Sequence, residues 1–287
     1  MKRSEGLSEF ELVILKSGIK SLRALGNMET FHPVTGPWIE ANELHVEQQR
    51  LVERSKNMDG CFVVWDVGMG AAANALAALE ALKTNPSTEI QLHSFDKTTA
   101  PIEFALNNAE ELGYLRGHEV LIRQLLATKE VRVTSQIHWT LHLGDFQTGL
   151  SDPQIPSPHS ILYDPYSSSG NPEMWSLDHF RALYQRLDPH TPCLLTNYTR
   201  STAVRVTLLL AGFSVGIGRS IGQKAETTIA TNQLELLEQP LDLRWLERAR
   251  VSRNAAPLGP VAQEVTPISN ADFERLKQCA QFDLARV

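Results

Sequence analysis

The order of apolar and polar residues divides the chain into two regimes. Residues 10–15 and 19–25 are alternating runs joined by Lys16-Ser17-Gly18, which predicts a β-hairpin with its glycine in the turn. After the breaker Thr35-Gly36-Pro37, residues 38–52 place Ile39, Leu44 and Leu51 at helical spacing among many charged and amide side chains, so a surface helix is expected. From Gly60 the pattern becomes one of short apolar strands alternating with amphipathic helices, as in a mostly parallel sheet covered on both faces. Strands are predicted near 61–66, 90–95, 137–143, 159–164, 193–198, 213–218 and 225–231. Helices are predicted near 72–83, 99–112, 118–127, 173–187 and 200–211, with Gly113, Pro189 and Gly212 where helix ends belong. A short turn around Ser220-Ile221-Gly222-Gln223 joins the last two strands and makes the final one antiparallel. Beyond Gln239 the Pro-, Arg- and Ser-bearing sequence reads as a loosely packed tail with one helix over 270–280.

The expected architecture is therefore α/β. It has an N-terminal hairpin and helix appendage over 1–58, a doubly wound sheet of about seven strands over 59–234, and a C-terminal extension over 235–287. Composition agrees: 42% hydrophobic and 21% charged residues are ordinary globular usage. No segment reads as a membrane span, since the most apolar one, residues 203–216, is broken by Arg205 and is shorter than the roughly 20 residues a bilayer requires. The charged N-terminus has no signal-peptide core. Cys61, Cys193 and Cys279 are odd in number and widely spaced, which supports neither a disulfide framework nor a zinc site and fits a cytoplasmic protein. A net charge of −6 argues against a generally basic nucleic-acid binder while leaving room for a local basic patch.

Candidate chemistry sits at the strand tips. Cys61-Phe62-Val63-Val64-Trp65-Asp66 runs into Val67-Gly68-Met69-Gly70, a loop in which glycines let the backbone turn tightly and a ligand approach. Gly68, Gly70 and Ala73 also satisfy the G-x-G-x-x-A dinucleotide fingerprint. Asp66, two residues before the first glycine, favours S-adenosylmethionine instead, because an acid there suits a cationic amino-acid moiety and repels a pyrophosphate. Ser94-Phe95-Asp96-Lys97 puts a second acid where ribose hydroxyls are gripped, although Asp96 reads equally as a helix cap. Leu143-Gly144-Asp145-Phe146 supplies a third acid and an aromatic suited to adenine, or simply a turn. With Asn74 on the following helix, the expected cofactor set is Asp66, Gly68, Gly70, Asn74, Asp96, Lys97, Asp145 and Phe146.

The fourth strand ends in Tyr163-Asp164-Pro165-Tyr166-Ser167. The methyl group on a sulfonium is already activated, so the enzyme needs mainly to hold a neutral acceptor in line and exclude water. Asp164 can accept amine hydrogens and Tyr166 can pack on the planar part of a substrate, which makes these two the catalytic candidates. A plain β-turn is the alternative reading of this segment.

Asp164-Pro165-Tyr166-Ser167 followed by Asn171-Pro172-Glu173-Met174-Trp175 resembles the signature loop of the MnmC-like tRNA methyltransferases. Phe31-His32-Pro33-Val34-Thr35-Gly36-Pro37-Trp38-Ile39-Glu40 resembles the family's His-containing loop and acidic helix. Thr196-Asn197-Tyr198-Thr199, Ala211-Gly212-Phe213 and Gly222-Gln223-Lys224 resemble its final strand-helix-strand segment. The resemblance covers about residues 10–232. It departs at Pro165 and Tyr166, where the family has Gly or Ala and then Phe, and at Ala71-Ala72-Ala73, where a hydroxyl is more usual. It implies S-adenosylmethionine as cofactor and transfer of a methyl group to the aminomethyl substituent at carbon 5 of a wobble uridine in tRNA. His32, Glu40, Asn171, Glu173, Trp175 and Lys224 would then lie on the substrate side, with Arg219, Arg244 and Arg248 as further basic contacts. Some relatives fuse an oxidase that prepares the amine, so the resemblance also implies a separate enzyme supplying the aminomethyl uridine here. Methylation of a small-molecule amine and a catalytically silent cofactor-binding role are the alternatives.

Overall fold

A computed structural model describes residues 9–222 and 225–282. The alternating runs form the expected hairpin: β1 (Phe10–Ile14) and β2 (Lys20–Ala24) pair antiparallel with Phe10 opposite Ala24. Its inward residues, Phe10 and Leu22, are buried.

The stretch expected to be a surface helix is neither continuous nor peripheral. It comprises α1 (Pro37–Ala41), a π-helical turn (Asn42–Glu47) and α2 (Leu51–Lys56), with Arg50 between them in a left-handed conformation. Ala41, His45, Gln49 and Leu51 have no solvent exposure. Two of the polar residues that make the segment look like a surface, His45 and Gln49, are buried with partners on the sheet. His45 Nδ1 lies 2.8 Å from Thr196 Oγ1, and Gln49 Nε2 donates to Ile161 O at 2.9 Å and to Thr196 Oγ1 at 2.7 Å.

The remaining elements alternate as predicted: β3 (Cys61–Val67), α3 (Ala73–Leu82), β4 (Glu89–Asp96), α4 (Ala100–Asn107), α5 (Ala109–Leu112), α6 (Glu119–Thr128), β5 (Glu130–Arg132), β6 (Ile137–Leu143) and α7 (Phe146–Gly149). They continue as β7 (Ser160–Tyr163), a 3-10 turn (Pro172–Trp175), α8 (Leu177–Gln185), β8 (Leu194–Asn197), α9 (Thr202–Ala211), β9 (Ser214–Gly218) and β10 (Thr227–Thr231). The large sheet has eight strands in the order β5-β6-β4-β3-β7-β8-β10-β9. The strand beyond the expected seven is β5, three residues at the edge, antiparallel to β6; it is too short to carry a period of its own. As expected, the final strand β10 runs antiparallel, inserted between β8 and β9. The single helix expected over 173–187 is split, because Ser176 caps α8 by accepting from His179 N at 3.2 Å.

Strand β3 shows how both faces are covered. Phe62 and Val64 point into one core with α3 and the helices after it, while Val63, Trp65 and Val67 point into a second core with α8 and α9. That second core also receives the C-terminal segment, which is not a loose tail. In α10 (Leu243–Val251) Trp245, Leu246 and Ala249 are buried, and in α11 (Asn270–Lys277) Phe273 and Leu276 are buried. Gln281 clamps the end by donating to Val215 O at 2.7 Å and to Leu241 O at 2.8 Å. No helix among the described residues is long and apolar enough to cross a membrane. The strand order reverses between β3 and β7, which opens a crevice at their carboxyl ends.

Candidate active site

A cavity of about 610 Å³ occupies that crevice. Its floor is the loop after β3. Gly68 and Gly70 have φ values of +85° and +52°, and Gly68 N and Met69 N both donate to Phe95 O at 3.0 and 3.1 Å. Glycine is required at position 68 because a Cβ there would lie 2.7 Å from Asp164 O. The loop after β3 thus touches the tip of β4 on one side and the tip of β7 on the other.

Asp96 faces the cavity, and its carboxylate ties β4 to the glycine loop by accepting from Gly70 N at 2.8 Å and Thr98 N at 3.2 Å. Burial raises its pKa above the usual carboxylate value. Lys97 also lines the cavity and forms an ion pair with Glu173 at 2.9 Å. Phe146 supplies an apolar wall, whereas Asp145 is exposed and caps α7 by accepting from Gln147 N at 2.9 Å. Asp145 thus caps a short helix, rather than forming the simple turn of its alternative reading, and lies outside the cavity lining.

Asp66 is likewise absent from the lining. It is fully buried beneath the loop, where Ser94 Oγ donates to its Oδ2 at 2.7 Å and its Oδ1 has no hydrogen-bond partner. Desolvation pushes its pKa up to about 7, with the Asp164 and Asp96 charges adding to the shift. Asn74, expected on the cofactor, is buried outside the lining and donates from Nδ2 to Asp164 Oδ2 at 2.8 Å.

Asp164 and Tyr166 both face the cavity. His32 Nε2 approaches Asp164 Oδ2 at 3.8 Å from the segment after the hairpin, and its own backbone is left-handed at φ +46°. The Tyr166 ring meets Phe31 edge to face with centroids 5.6 Å apart. Burial, then the Asp96 and Glu29 charges, raise the Tyr166 phenol to about 12, so it stays protonated. Its loop is held from below: Trp175 Nε1 donates to Tyr166 O at 2.8 Å and Tyr198 OH to Pro165 O at 3.4 Å.

Of the residues expected on the substrate side, His32, Glu40 and Asn171 line the cavity. Glu40 Oε1 gathers the amides of Val34 and Thr35 at 2.7 and 2.9 Å, which shapes the His32 segment. Trp175, expected to meet substrate, is buried under the loop as a support, and Glu173 stands outside the lining with its carboxylate on Lys97. Lys224 lies outside the described residues. Arg219, Arg244 and Arg248 are exposed, the first 3.6 Å from Glu238. Sequence reasoning missed Glu29, Phe31 and Tyr198 in the cavity wall. Phe31 was within the resembling segment but read as part of a loop, and nothing in the local sequence of Glu29 marks it.

Four carboxylates (Glu29, Glu40, Asp96, Asp164) and one lysine line the cavity. Such a field favours a cation and disfavours a pyrophosphate, which separates S-adenosylmethionine from a dinucleotide. Apolar walls from Met69, Phe95, Pro101 and Phe146 suit the nucleoside.

Comparison with known proteins agrees. Residues 116–233 match the family model described as S-adenosyl-L-methionine-dependent methyltransferase. The tRNA 5-methylaminomethyl-2-thiouridine biosynthesis bifunctional protein MnmC of Pseudomonas putida strain W619 is 26% identical over 77% of this chain and 34% of its own length. The protein of the same name from Marinomonas sp. strain MWYL1 is 30% identical over 64% of this chain and 28% of its own. The chain thus spans about a third of the length of the curated relatives it matches. The crystal structure of MNMC2 from Aquifex aeolicus superposes with a TM-score of 0.69, 23% identity, and coverage of 95% of this chain and 86% of that one. Residues 116–233 of this chain are thus similar to S-adenosyl-L-methionine-dependent methyltransferases, much of its sequence is similar to about a third of the MnmC proteins, and its fold is that of MNMC2.

Proposed function

We propose that this chain N-methylates the aminomethyl group at carbon 5 of a wobble uridine in tRNA. The observation that carries the reading is Asp164 at the tip of β7. This carboxylate is oriented by Asn74 at 2.8 Å and approached by His32 at 3.8 Å, and it faces the same cavity as the glycine loop and Tyr166. Gly68, Gly70, Asp96, Lys97 and Phe146 would hold S-adenosylmethionine, which when bound supplies a methyl group activated on a sulfonium. Asp66 and Asp145 would act on that site only indirectly, since neither lines it.

Asp164 accepts hydrogens of the amine and so directs its lone pair, while the Tyr166 ring packs on the planar base. The protonated Tyr166 hydroxyl can donate but not take a proton at neutral pH. Phe31, Tyr166 and Tyr198 exclude water around the acceptor. His32, Glu40 and Asn171 line the acceptor side; Glu173 and Trp175 act through Lys97 and the loop backbone. The similarity to proteins named for 5-methylaminomethyl-2-thiouridine biosynthesis in tRNA supports this acceptor. Exposed Arg219, Arg244 and Arg248, with Lys224, would contact phosphates. The acidic cavity equally suits a free amine, so small-molecule methylation is the second reading.

Methyl-labelled cofactor should mark tRNA that carries the unmethylated aminomethyl uridine, and Asp164→Ala should abolish the label. Label on free amines but not on that tRNA selects the second reading. Unchanged transfer by the Ala variant would overturn the role of Asp164.

A further inference from the structure

The loop that presents Asp164 and Tyr166 is gripped from the core through its carbonyls, by Trp175 Nε1 and Tyr198 OH. Its donors are gripped from the opposite side. Ser167 N donates to Glu29 Oε2 at 3.0 Å and Ser167 Oγ to Glu29 Oε1 at 2.5 Å, so one carboxylate captures two donors of one residue. The loop continues as a turn around the same serine, with Gly170 N donating to Ser167 O at 2.9 Å. Gly170 passes so close that a Cβ there would collide with Glu29 Oε1. Glu29 is itself fixed to the hairpin: Ala24 N donates to Glu29 O at 2.9 Å, and Glu29 N donates to Asn27 Oδ1 at 3.1 Å. Two residues on, Phe31 reaches both Tyr166 and Gly70, since a Cβ on that glycine would lie 3.1 Å from its ring.

We propose that Glu29 is a positioning residue that fixes the acceptor loop 164–170 through Ser167, so that the N-terminal hairpin is a working wall of the active site. This rests on the reading of that loop as the acceptor loop. Charge-assisted bonds are the strong class, and a carboxylate accepting from both an amide and a hydroxyl defines the loop's direction as well as its distance. The acceptor geometry should therefore depend on Glu29 while the cofactor side, built on β3 and β4, should not.

Three variants test this: Glu29→Ala, Glu29→Gln and Ser167→Ala. Gln keeps one acceptor but presents an N–H to the other donor, so it should fall between wild type and Ala. Hydrogen exchange of the Ser167 amide should speed up about ten-fold or more in Glu29→Ala, as loss of a charge-assisted bond implies. Acceptor kcat/KM should fall about ten- to hundred-fold, with the S-adenosylmethionine Kd weakening several-fold less, as the loss of one of four cavity carboxylates implies. Ser167→Ala keeps the amide bond and should lose less. Combining it with Glu29→Ala should add little to the loss from Glu29→Ala alone. Unchanged exchange in Glu29→Ala overturns the proposal, as does a cofactor Kd that weakens in step with kcat/KM. If wild type transfers no methyl group to the tRNA, the acceptor assignment falls, and the exchange measurement still decides the latch.

Discussion

Asp66→Asn is the substitution that most directly tests the electrostatics beneath the glycine loop. The carboxyl is fully buried, with one oxygen bonded to Ser94 Oγ and the other without a partner. Its pKa rises from 3.8 to about 7 on folding, chiefly by desolvation. Between these values the unfolded chain has released the proton while the folded chain keeps it, so stability falls as pH rises. The slope is on the order of 1 kcal/mol per pH unit and the total is about 4 kcal/mol, fully present below pH 4 and gone above pH 7. Asparagine has nearly the same shape, can still accept from Ser94 and does not titrate. It carries a fixed cost of about 1–3 kcal/mol for its unpartnered amide hydrogens. The difference between wild type and Asp66→Asn reports chiefly this group, with a smaller part from its coupling to the Asp164 and Asp96 charges. Urea unfolding from pH 5.5 to 8.5 should show the variant gaining about 2 kcal/mol on wild type, with the change complete near pH 7. A difference that is flat across this range, or one in which wild type gains as pH rises, would refute a protonated Asp66.

Two further outcomes follow from the same structure. Below pH 6.5 wild type should lose stability, because His45 and His93 are held neutral by burial, with folded pKa values lowered to about 3 and about 4, while the unfolded chain takes up protons at 6.5. Each contributes a loss on the order of 1 kcal/mol per pH unit down to those values, partly offset by Asp66, so acid unfolding should be steeper in Asp66→Asn. Gly68→Ala should cost about 2 kcal/mol of stability and at least ten-fold in cofactor affinity, since the residue is left-handed and its Cβ would meet immobile backbone at Asp164. Gly70→Ala should cost less, because there the added methyl meets only the Phe31 ring; denaturant melts and calorimetry compare the pair, and equal losses would contradict the assigned contacts.

The parts of this protein that are legible in the sequence are those whose signal is local. Strand β3 is a nearly continuous apolar run, β4 and β6 place an apolar residue at every second position, and acids at or just after the tips of these three strands mark the crevice before any tertiary information is used. What stayed hidden depends on partners far along the chain. His45 and Gln49 look like surface residues until Thr196 is placed beside them. Asn74 sits in the helix after the glycine loop, where cofactor contact is the natural reading, yet its amide serves Asp164, 90 residues away. Glu29 meets Ser167 across 138 residues. In the C-terminal segment, the Pro- and Arg-rich composition masked Trp245, Leu246 and Ala249 on one helical face and Phe273 and Leu276 on another.

These hidden contacts fall on the acceptor side more than on the cofactor side. The glycine loop takes its hydrogen bonds from the adjacent strand tip, so its geometry follows largely from the βαβ unit, with β7 and Phe31 limiting the space around Gly68 and Gly70. Asp164, by contrast, is oriented by Asn74 from α3, approached by His32 from the segment before α1, and carried on a loop tied to Glu29, Trp175 and Tyr198. If the proposed assignment holds, changes in the hairpin or the 164–171 loop retune the acceptor while β3 and β4 keep the cofactor in place. The departures at Pro165 and Tyr166 lie within that adjustable part: Pro165 offers the carbonyl that Tyr198 holds, and Tyr166 keeps the ring that Phe31 packs against. Both contacts use groups the residues of the resembling family also possess, a backbone carbonyl and an aromatic edge, so the substitutions leave the loop's anchorage intact and change only what it shows to the acceptor.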